Sequence, residues 1–512
     1  VQGQNGVRLI GFERLLCSEE AFTLCLPRDD MEMSTLQLAI CLAQVAVMPE
    51  NLKELKDCIR QPMDETEYRQ RTERLVPWFQ LDHPEWPFMQ IMEGNGKVTN
   101  IQKLLPGLPE GDSSVCFFNS PKEVRRLGAP MAAVCLFQQA STAPSFGGGP
   151  GGGFKAPLRG SAPITTLVWN SNLRHMLWHN VLCRTEVLKC IPNYCAENEE
   201  EMPVWVRPIL RDSEVRANQI GLLRGLFWQP AHIKMLWQTS NECCDLVGIP
   251  SMLNCSEFNK EPFGYKLKNY WAHPHSPREL ILRKGQAELE ERALSFRIQE
   301  PAWTNCHVYA YRFENENKTG YTPAAVVSQF SKLPSNKKLN LSIGGYCNNQ
   351  AKIEQRRHEL ISLGEGWDAK DADWLKSLIE GVLEAKDIMH KKLLWMKKAD
   401  KLKKQRGIGV SLTDEAANLF FQRTEPIVRQ FMQTYTTLQD IKILKLETME
   451  AVKKVCMQIF EDVTRPFWHD PGIMAAVVVC RFSLERALNE LIIPSAKKNR
   501  KKEVKNSVST NK

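Results

Sequence analysis

The sequence predicts an α+β protein in which a large, irregular mixed N-terminal domain is followed by a C-terminal four-helix bundle. Three observations carry that expectation. Prolines and glycines break the chain from Val1 to about Asn340 into short elements, with β-like runs alternating with helical patches. Past Arg357, apolar residues recur at helical spacing in long stretches separated by breakers. No internal repeat is evident in the rest of the chain.

Taken in order, Pro27 ends whatever precedes it, and a helix should start near Ser34 with Ser34 or Asp30 as its cap. Asp29, Asp30 and Glu32 then read as first-turn acids facing the positive end of that helix. Leu36 to Met48 is the most apolar stretch, but it contains Gln37 and Gln44 and falls short of the roughly 18–20 residues that span a bilayer. A buried core helix is expected there. Thr165 to Trp169 and His307 to Phe313 read as strands. Gly344 and Gly345 read as a tight turn with positive φ, and the charged run Lys352 to Glu359 as the first turns of a helix.

The bundle follows. Leu375, Leu378, Ile379, Val382 and Met389 share a helix face, as do Leu438, Ile441, Leu444, Val452, Val455 and Ile459. Met474, Val477, Val478, Leu484, Leu488 and Leu491 form another face, and Thr413 opens a further helix with Asp414 and Glu415 in its first turn. Gly407, Gly409, Pro466 and Pro471 are the breakers. The expected domains are 1–357, mixed and carrying the glycine-rich segment; 358–495, helical; and 496–512, a basic tail.

Apolar residues make up 43% of the chain and charged residues 25%, the shares of an ordinary globular protein. A net charge of +8 permits nucleic-acid contact. Part of it lies in Lys497, Lys498, Arg500, Lys501, Lys502 and Lys505, which read either as a solvated end or as a weak phosphate contact. No signal peptide opens the chain, and Val1 in place of Met suggests a trimmed or incomplete start. The sixteen cysteines lie mostly inside apolar segments, as buried thiols of a reducing compartment do. Only Cys243 and Cys244 are adjacent and no CxxC occurs, so no zinc site is expected.

Two segments stand out chemically. Asn348, Asn349 and Gln350 follow Tyr346, and neutral amides donate and accept at once, which suits reading base edges. Alone, they could equally satisfy a polar turn. Six glycines, Gly147, Gly148, Gly149, Gly151, Gly152 and Gly153, surround Pro150, and such a backbone can approach a ligand closely, with Lys155 and Arg159 supplying charge. The alternative is a flexible linker. A P-loop is excluded, because Pro157 follows Lys155-Ala156 where Gly-Lys-Ser/Thr should open a helix.

Other candidates read as structural. RGLFWQPAHI (224–233) is a core segment with His232 hydrogen-bonded inside. His273 and His275 could hold a metal only if further ligands arrived from elsewhere, and none is indicated. His469-Asp470 reads as an interhelical turn, and no GxSxG or HExxH occurs.

Together these segments resemble the large-subunit family of type I-E Cascade, the CRISPR surveillance complex. The matching blocks are LPRDDME (26–32), HPEWPFMQ (83–90), CFFN (116–119), APSFGGG with GGGFK and LRG (143–160), RGLFWQPAHI (224–233), HPHSP (273–277) and GGYCNNQA with RRHE (344–359). They occur in family order over nearly the whole chain.

The resemblance implies a non-catalytic, cytoplasmic prokaryotic subunit without cofactor or metal. Its partners would be the other Cascade subunits, guide RNA, double-stranded target DNA with a protospacer-adjacent motif (PAM) and a helicase–nuclease, with no membrane. It implies that the glycine loop, a lysine, Asn349 and Ala351 meet the PAM minor groove, with Gln350 as the strand-separating wedge. Direct register puts Pro262 at the family's lysine, and a small gap puts Lys260 there. Phe117, Phe118 and Asn119 would dock the guide-RNA handle. In departure from the family, the glycine loop is longer and Cys347 replaces a basic residue. The alternatives are a metal-dependent nuclease using Asp29, Asp30, Glu32 or the His469-Asp470 pair, and an RNA-binding scaffold.

Overall fold

The computed structural model describes residues 1–3, 6–91, 96–108, 123–144, 148–149, 152–153, 158–160, 162–191, 201–261, 263–282, 289–297, 300–316, 318–333, 338–349, 352–397, 410–435 and 440–493. The chain divides into two compact units. The first comprises Val1–Ile298, Val308–Ser335 and Asn340–Leu360; the second comprises Gln299–His307, Asn336–Leu339 and Ile361–Lys512.

The first unit is built around the helix Asp29–Ala46. Met33, Leu36, Ile40 and Ala43 fall on one face of it and pack with Leu173, Leu177 and Trp178. Each such leucine or isoleucine contributes about 1.5–3 kcal/mol by leaving water. The two glutamines that interrupt its apolar run are buried and bonded. Gln44 Nε2 donates to Leu182 O at 2.9 Å while its Oε1 accepts from Leu182 N at 2.7 Å, and Gln37 Nε2 meets His275 Nδ1 at 3.2 Å. The helix begins earlier than the sequence indicated. Arg28 is its N-cap residue, without a side-chain cap, and Ser34 donates instead to Asp30 O one turn back, at 2.7 Å.

Two sheets position the candidate residues. In one, the strands His232–Cys243 and Pro250–Glu261 pair antiparallel, and the second also pairs with Lys97–Asn100 and Leu127–Gly128. The other is three-stranded, with Leu339–Asn349 lying between Lys352–Leu363 and Thr165–Val168. Lys352–Leu363 is therefore a strand and not the helix its charges suggested. Its inward positions Arg357, Ile361 and Leu363 are buried at period two, and with Arg357 among them the alternation does not look apolar. The segment read as a strand at His307–Phe313 is a helix over Cys306–Ala310, with only Phe313–Glu314 extended; Val308 and Tyr309 are buried, so packing overrides their strand preference.

In the second unit, Ala372–Lys397, Thr413–Thr434, Ile441–Thr464 and Pro471–Ile492 are the long helices among the described residues. Leu375, Leu378, Ile379, Val382 and Met389 are buried as their spacing required, as are Val452, Val455, Ile459, Val477, Leu484 and Leu488, whereas Val478 faces out. Asp470 caps the last helix by accepting from Gly472 N at 2.9 Å, which explains the His469-Asp470 pair structurally. Among the described residues no helix is long and apolar enough to cross a membrane.

Candidate nucleic-acid interface

The amide-bearing segment lies at the end of a strand pair. One strand ends at Asn349 and its neighbour begins at Lys352, and a two-residue connection permits only an antiparallel return. Gln350, Ala351 and the Asn349 side chain lie outside the described residues. Gly344 and Gly345 stand inside the strand and not in a turn. A Cβ on Gly344 would come within 2.9 Å of Met33 Cε, and one on Gly345, where φ is +158°, within 3.0 Å of Pro163 O. The glycines let the strand lie directly on the Asp29–Ala46 helix and on the Pro163 backbone.

The next residue fixes that contact. Tyr346 is buried, and its hydroxyl donates to Asp30 Oδ2 at 2.8 Å and accepts from Gln138 Nε2 at 2.9 Å. Arg28 closes on the same carboxylate with Nε at 3.0 Å from Oδ1 and Nη2 at 2.7 Å from Oδ2. Burial pushes the Asp30 carboxyl up, but the Arg28 hydrogen bonds and charge, with Tyr346 and Arg356, outweigh it and hold the group below its usual range. Burial and the Asp30 charge keep Tyr346 protonated. Asp29 pairs with Arg356 at 2.5 Å, on the returning strand. Both Asp30 oxygens are thus engaged by Arg28 and Tyr346 in a buried network. No local pattern of residues signals this linkage, because its two ends are separated by 316 residues.

In the glycine loop, Gly148 pairs with Gly153 and Gly149 with Gly152, so these four residues form a short antiparallel ladder. Gly147, Gly151 and Lys155 lie outside the described residues. The loop's roots are anchored. Gln139 Nε2 donates to Pro144 O at 3.2 Å before it. After it, Arg159 is fully buried and does not reach outward to phosphates as the sequence suggested. Its Nε donates to Ser276 Oγ at 2.8 Å, and its Nη2 to Thr165 Oγ1 at 2.9 Å and to Ile164 O at 3.1 Å. Burial lowers its pKa to about 10. Thr165 in turn pairs with Gly344, so one guanidinium ties the loop root, the HPHSP block and the hairpin's sheet together.

Beneath Arg159 the fold gathers Cys41, His273 and His275, whose potential ligand atoms lie within 4.8 Å of one another. Cys41 is the third group that the histidine spacing alone did not indicate. The arrangement is adverse to a cation. Burial and then the Arg159 charge push His275 down to about 3 and His273 well below its ordinary value, and burial pushes the Cys41 thiol up. His275 Nδ1 is occupied by Gln37, and His273 Nδ1 accepts from His275 N at 3.1 Å. These groups form a neutral packing cluster around a buried guanidinium.

Lys260 is half-buried at the end of the Pro250–Glu261 strand, opposite Lys97 on one side and Ile233 on the other. The strand end is locked by its next residue. Glu261 Oε1 meets His232 Nδ1 at 2.6 Å, and the His232 ring stacks on Phe263 with centroids 3.9 Å apart. Pro262 lies outside the described residues, as do Phe117, Phe118 and Asn119. The chain on the far side of those three is pinned where Val124 N donates to Gln102 Oε1 at 2.9 Å and Arg126 N to Asp245 Oδ2 at 2.8 Å.

The family model for CRISPR-associated protein Cse1 matches residues 1–462. Among solved structures, the chain is similar to Cse1 of Thermobifida fusca at 13% identity and a TM-score of 0.74, with 96% of each chain covered. It is similar to CasA of Thermus thermophilus at 18% identity and a TM-score of 0.69, covering 94% of this chain and 95% of that one. It also matches a chain from a CRISPR RNA-guided surveillance complex at 14% identity and a TM-score of 0.63, covering 92% and 94%. At such identities the likeness shows a common fold.

Proposed function

The chain belongs to the CRISPR-associated Cse1 family, and from that membership we propose that it is the large, non-catalytic subunit of a type I-E Cascade surveillance complex. In this reading it recognises the PAM from the minor groove and wedges the duplex open to start R-loop formation. The observation that carries the reading is the Tyr346–Asp30–Arg28 network beneath the strand pair that leads to Gln350. Unstacking a base step costs a few kcal/mol, so an inserted side chain must stand on a support that does not yield. A buried, charge-assisted network under the strand supplies such a support.

The remaining parts are carried over from the family resemblance, and the chemistry of the residues agrees with them. The minor groove is about 6 Å wide and offers a degenerate acceptor pattern, which suits the backbone of Gly147, Gly148, Gly149, Gly151, Gly152 and Gly153 together with Lys260, Asn349 and Ala351. Gln350 is the wedge, and the energy of strand separation is recovered as guide and target strand pair. Phe117, Phe118 and Asn119 stack on and hydrogen-bond to the guide-RNA handle. The helical bundle contacts the displaced strand, and the assembled complex helps recruit the helicase–nuclease.

The test is binding of the complex, reconstituted with guide RNA, to matched duplexes carrying a randomised flanking trinucleotide at fixed salt. Enrichment of a few flanks, lost on Gln350→Ala while guide-RNA assembly persists, supports the reading. Flank-independent binding moves it to an RNA-binding scaffold, and equal loss of assembly and opening removes the wedge role.

A further inference from the structure

The last helix of the second unit, Pro471–Ile492, carries two apolar stripes. Ile473, Ala476, Val477, Cys480, Leu484 and Leu488 are buried in the bundle. Val479, Phe482 and, at the helix exit, Ile493 follow the opposite course and are 45%, 64% and 71% exposed. With Arg486 and Asn489 they recur every three or four residues, which places them on one outward face. The helix Ile441–Thr464 runs antiparallel beside it, since Arg481 meets Glu461 at 2.8 Å while Glu450 shares a groove with Phe482 and Ile493. Leu446 and Ile443, both exposed, extend that face one and two turns past Glu450. The groove holds about 450 Å³, within the range of ligand-binding clefts. An exposed apolar surface rimmed by polar groups marks a place where something docks.

The rim is acidic. Glu450, Glu485 and Glu490 line the groove, with Arg486 as the cation among its lining residues. Each acid also meets a cation, Lys453 at 3.3 Å, Arg481 at 3.8 Å and Arg486 at 3.3 Å respectively. Such partly exposed pairs are worth at most about 1 kcal/mol, and a carboxylate with roughly four acceptor sites takes a second cation readily. The chain leaves the helix at this same groove. Ile493, with φ −123° and ψ 87°, has turned out of the helical conformation, and Pro494 after it cannot continue the hydrogen-bond ladder. Residues 494–512 lie outside the described residues. Their sequence holds seven lysines and arginines against the single acid Glu503, with Val504 and Val508 four residues apart. From Ile493 back to Phe482 is roughly 16 Å along the helix, a span that about five extended residues cover.

We infer that this groove is the docking site of the chain's own basic tail, residues 494–512. Val504 and Val508 lie against Phe482 and Ile493, and the tail's lysines stand among Glu450, Glu485 and Glu490. Length, exit point, charge and the spacing of the two valines all suit that occupant. Tethering raises the tail's effective concentration to the order of millimolar, so an intrinsic Kd of about 0.1 mM fills the groove about ten to one. Docked, the tail covers the exposed stripe of the last helix and keeps its own charges from stray phosphate.

The experiment uses the full chain. Trypsin cleavage after the tail lysines is timed by mass spectrometry of the intact protein. It should be about tenfold slower in the parent than in Phe482→Ser, or in a chain carrying Val504→Asp with Val508→Asp, which keeps every cleavage site. The double change Glu450→Gln with Glu485→Gln should fall between. The altered groove residues are partly or largely exposed, so melting temperature should hold in each variant. Asn489→p-benzoylphenylalanine should photo-crosslink to residues 494–512 of the same chain. Equal cleavage in parent and variants overturns the inference. Crosslinks between two chains make the groove a self-association surface and overturn it as well. Protection that arises only when duplex DNA is added makes the tail a phosphate contact, and a crosslink formed only to another subunit makes the groove a partner face; either result overturns it.

Discussion

The Tyr346 hydroxyl donates to Asp30 Oδ2 at 2.8 Å, joining the strand that ends at Asn349 to the first turn of the central helix. Asp30 is already closed by Arg28, so the tyrosine adds the connection rather than the charge balance.

Tyr346→Phe keeps the ring and removes that connection, leaving Gln138 and one Asp30 lone pair without their partner. A loss of about 1–3 kcal/mol in unfolding free energy is expected, read by denaturant titration. PAM-dependent strand opening, followed with a fluorescent base beside the PAM, should slow more than guide-RNA assembly. Equal slowing of both would show a general folding defect.

Bulky residues in place of Gly147 and Gly148 should abolish flank discrimination by keeping the loop out of a groove only about 6 Å wide. Competition between two duplexes differing only in the flank reads the outcome, and unchanged discrimination would leave the loop a linker.

Arg159→Lys retains a charge and loses the planar fork that serves Ser276, Thr165 and Ile164 at once. Stability should fall by about 1–3 kcal/mol as those acceptors lose partners. Flank discrimination should weaken while the salt slope stays as it was, because Arg159 is buried and reaches no phosphate. A flattened slope would return Arg159 to the surface role its sequence position suggests.

Two sets of buried groups give the pH response its sign. His275, at about 3, and His273 are neutral when folded but take up protons near pH 6.5 when unfolded. Between those limits the unfolded chain binds more protons, so stability falls as pH drops below about 6.5, by on the order of 1 kcal/mol per pH unit for each histidine. Asp30, with its folded value depressed, contributes stability above its unfolded value of 3.8 and loses it as pH falls from there toward the folded value. Denaturant titrations at pH 7.5, 6 and 5 should show the histidine slope, and His275→Asn should make it shallower. A flat profile over that range would contradict the neutral cluster.

The bundle was legible because each helix turns one apolar stripe inward, and the acids at Asp414 and Glu415 mark a start that the structure reproduces. The strand Lys352–Leu363 was not, since Arg357 occupies an inward position with its guanidinium over the Phe296 ring, and a buried cation hides the alternation. Of the candidate site, the blocks around the glycines and the amides were legible from their resemblance to a family. Their supports were not. Arg159 looks like a loop cation until Ser276 and Thr165 close around it, and nothing local in LPRDDME points to a tyrosine on a distant strand.

The separation of Asp30 from Tyr346 also has a temporal side. At roughly 5–20 residues per second, the ribosome needs about 16–63 s to make the 316 residues between them. Through that interval the acid already has Arg28, two residues away, as a partner made alongside it. The strand that carries Tyr346 can reach the helix only once nearly the whole first unit has emerged, so a nascent chain carries a charge-balanced helix start long before the strand it is to hold.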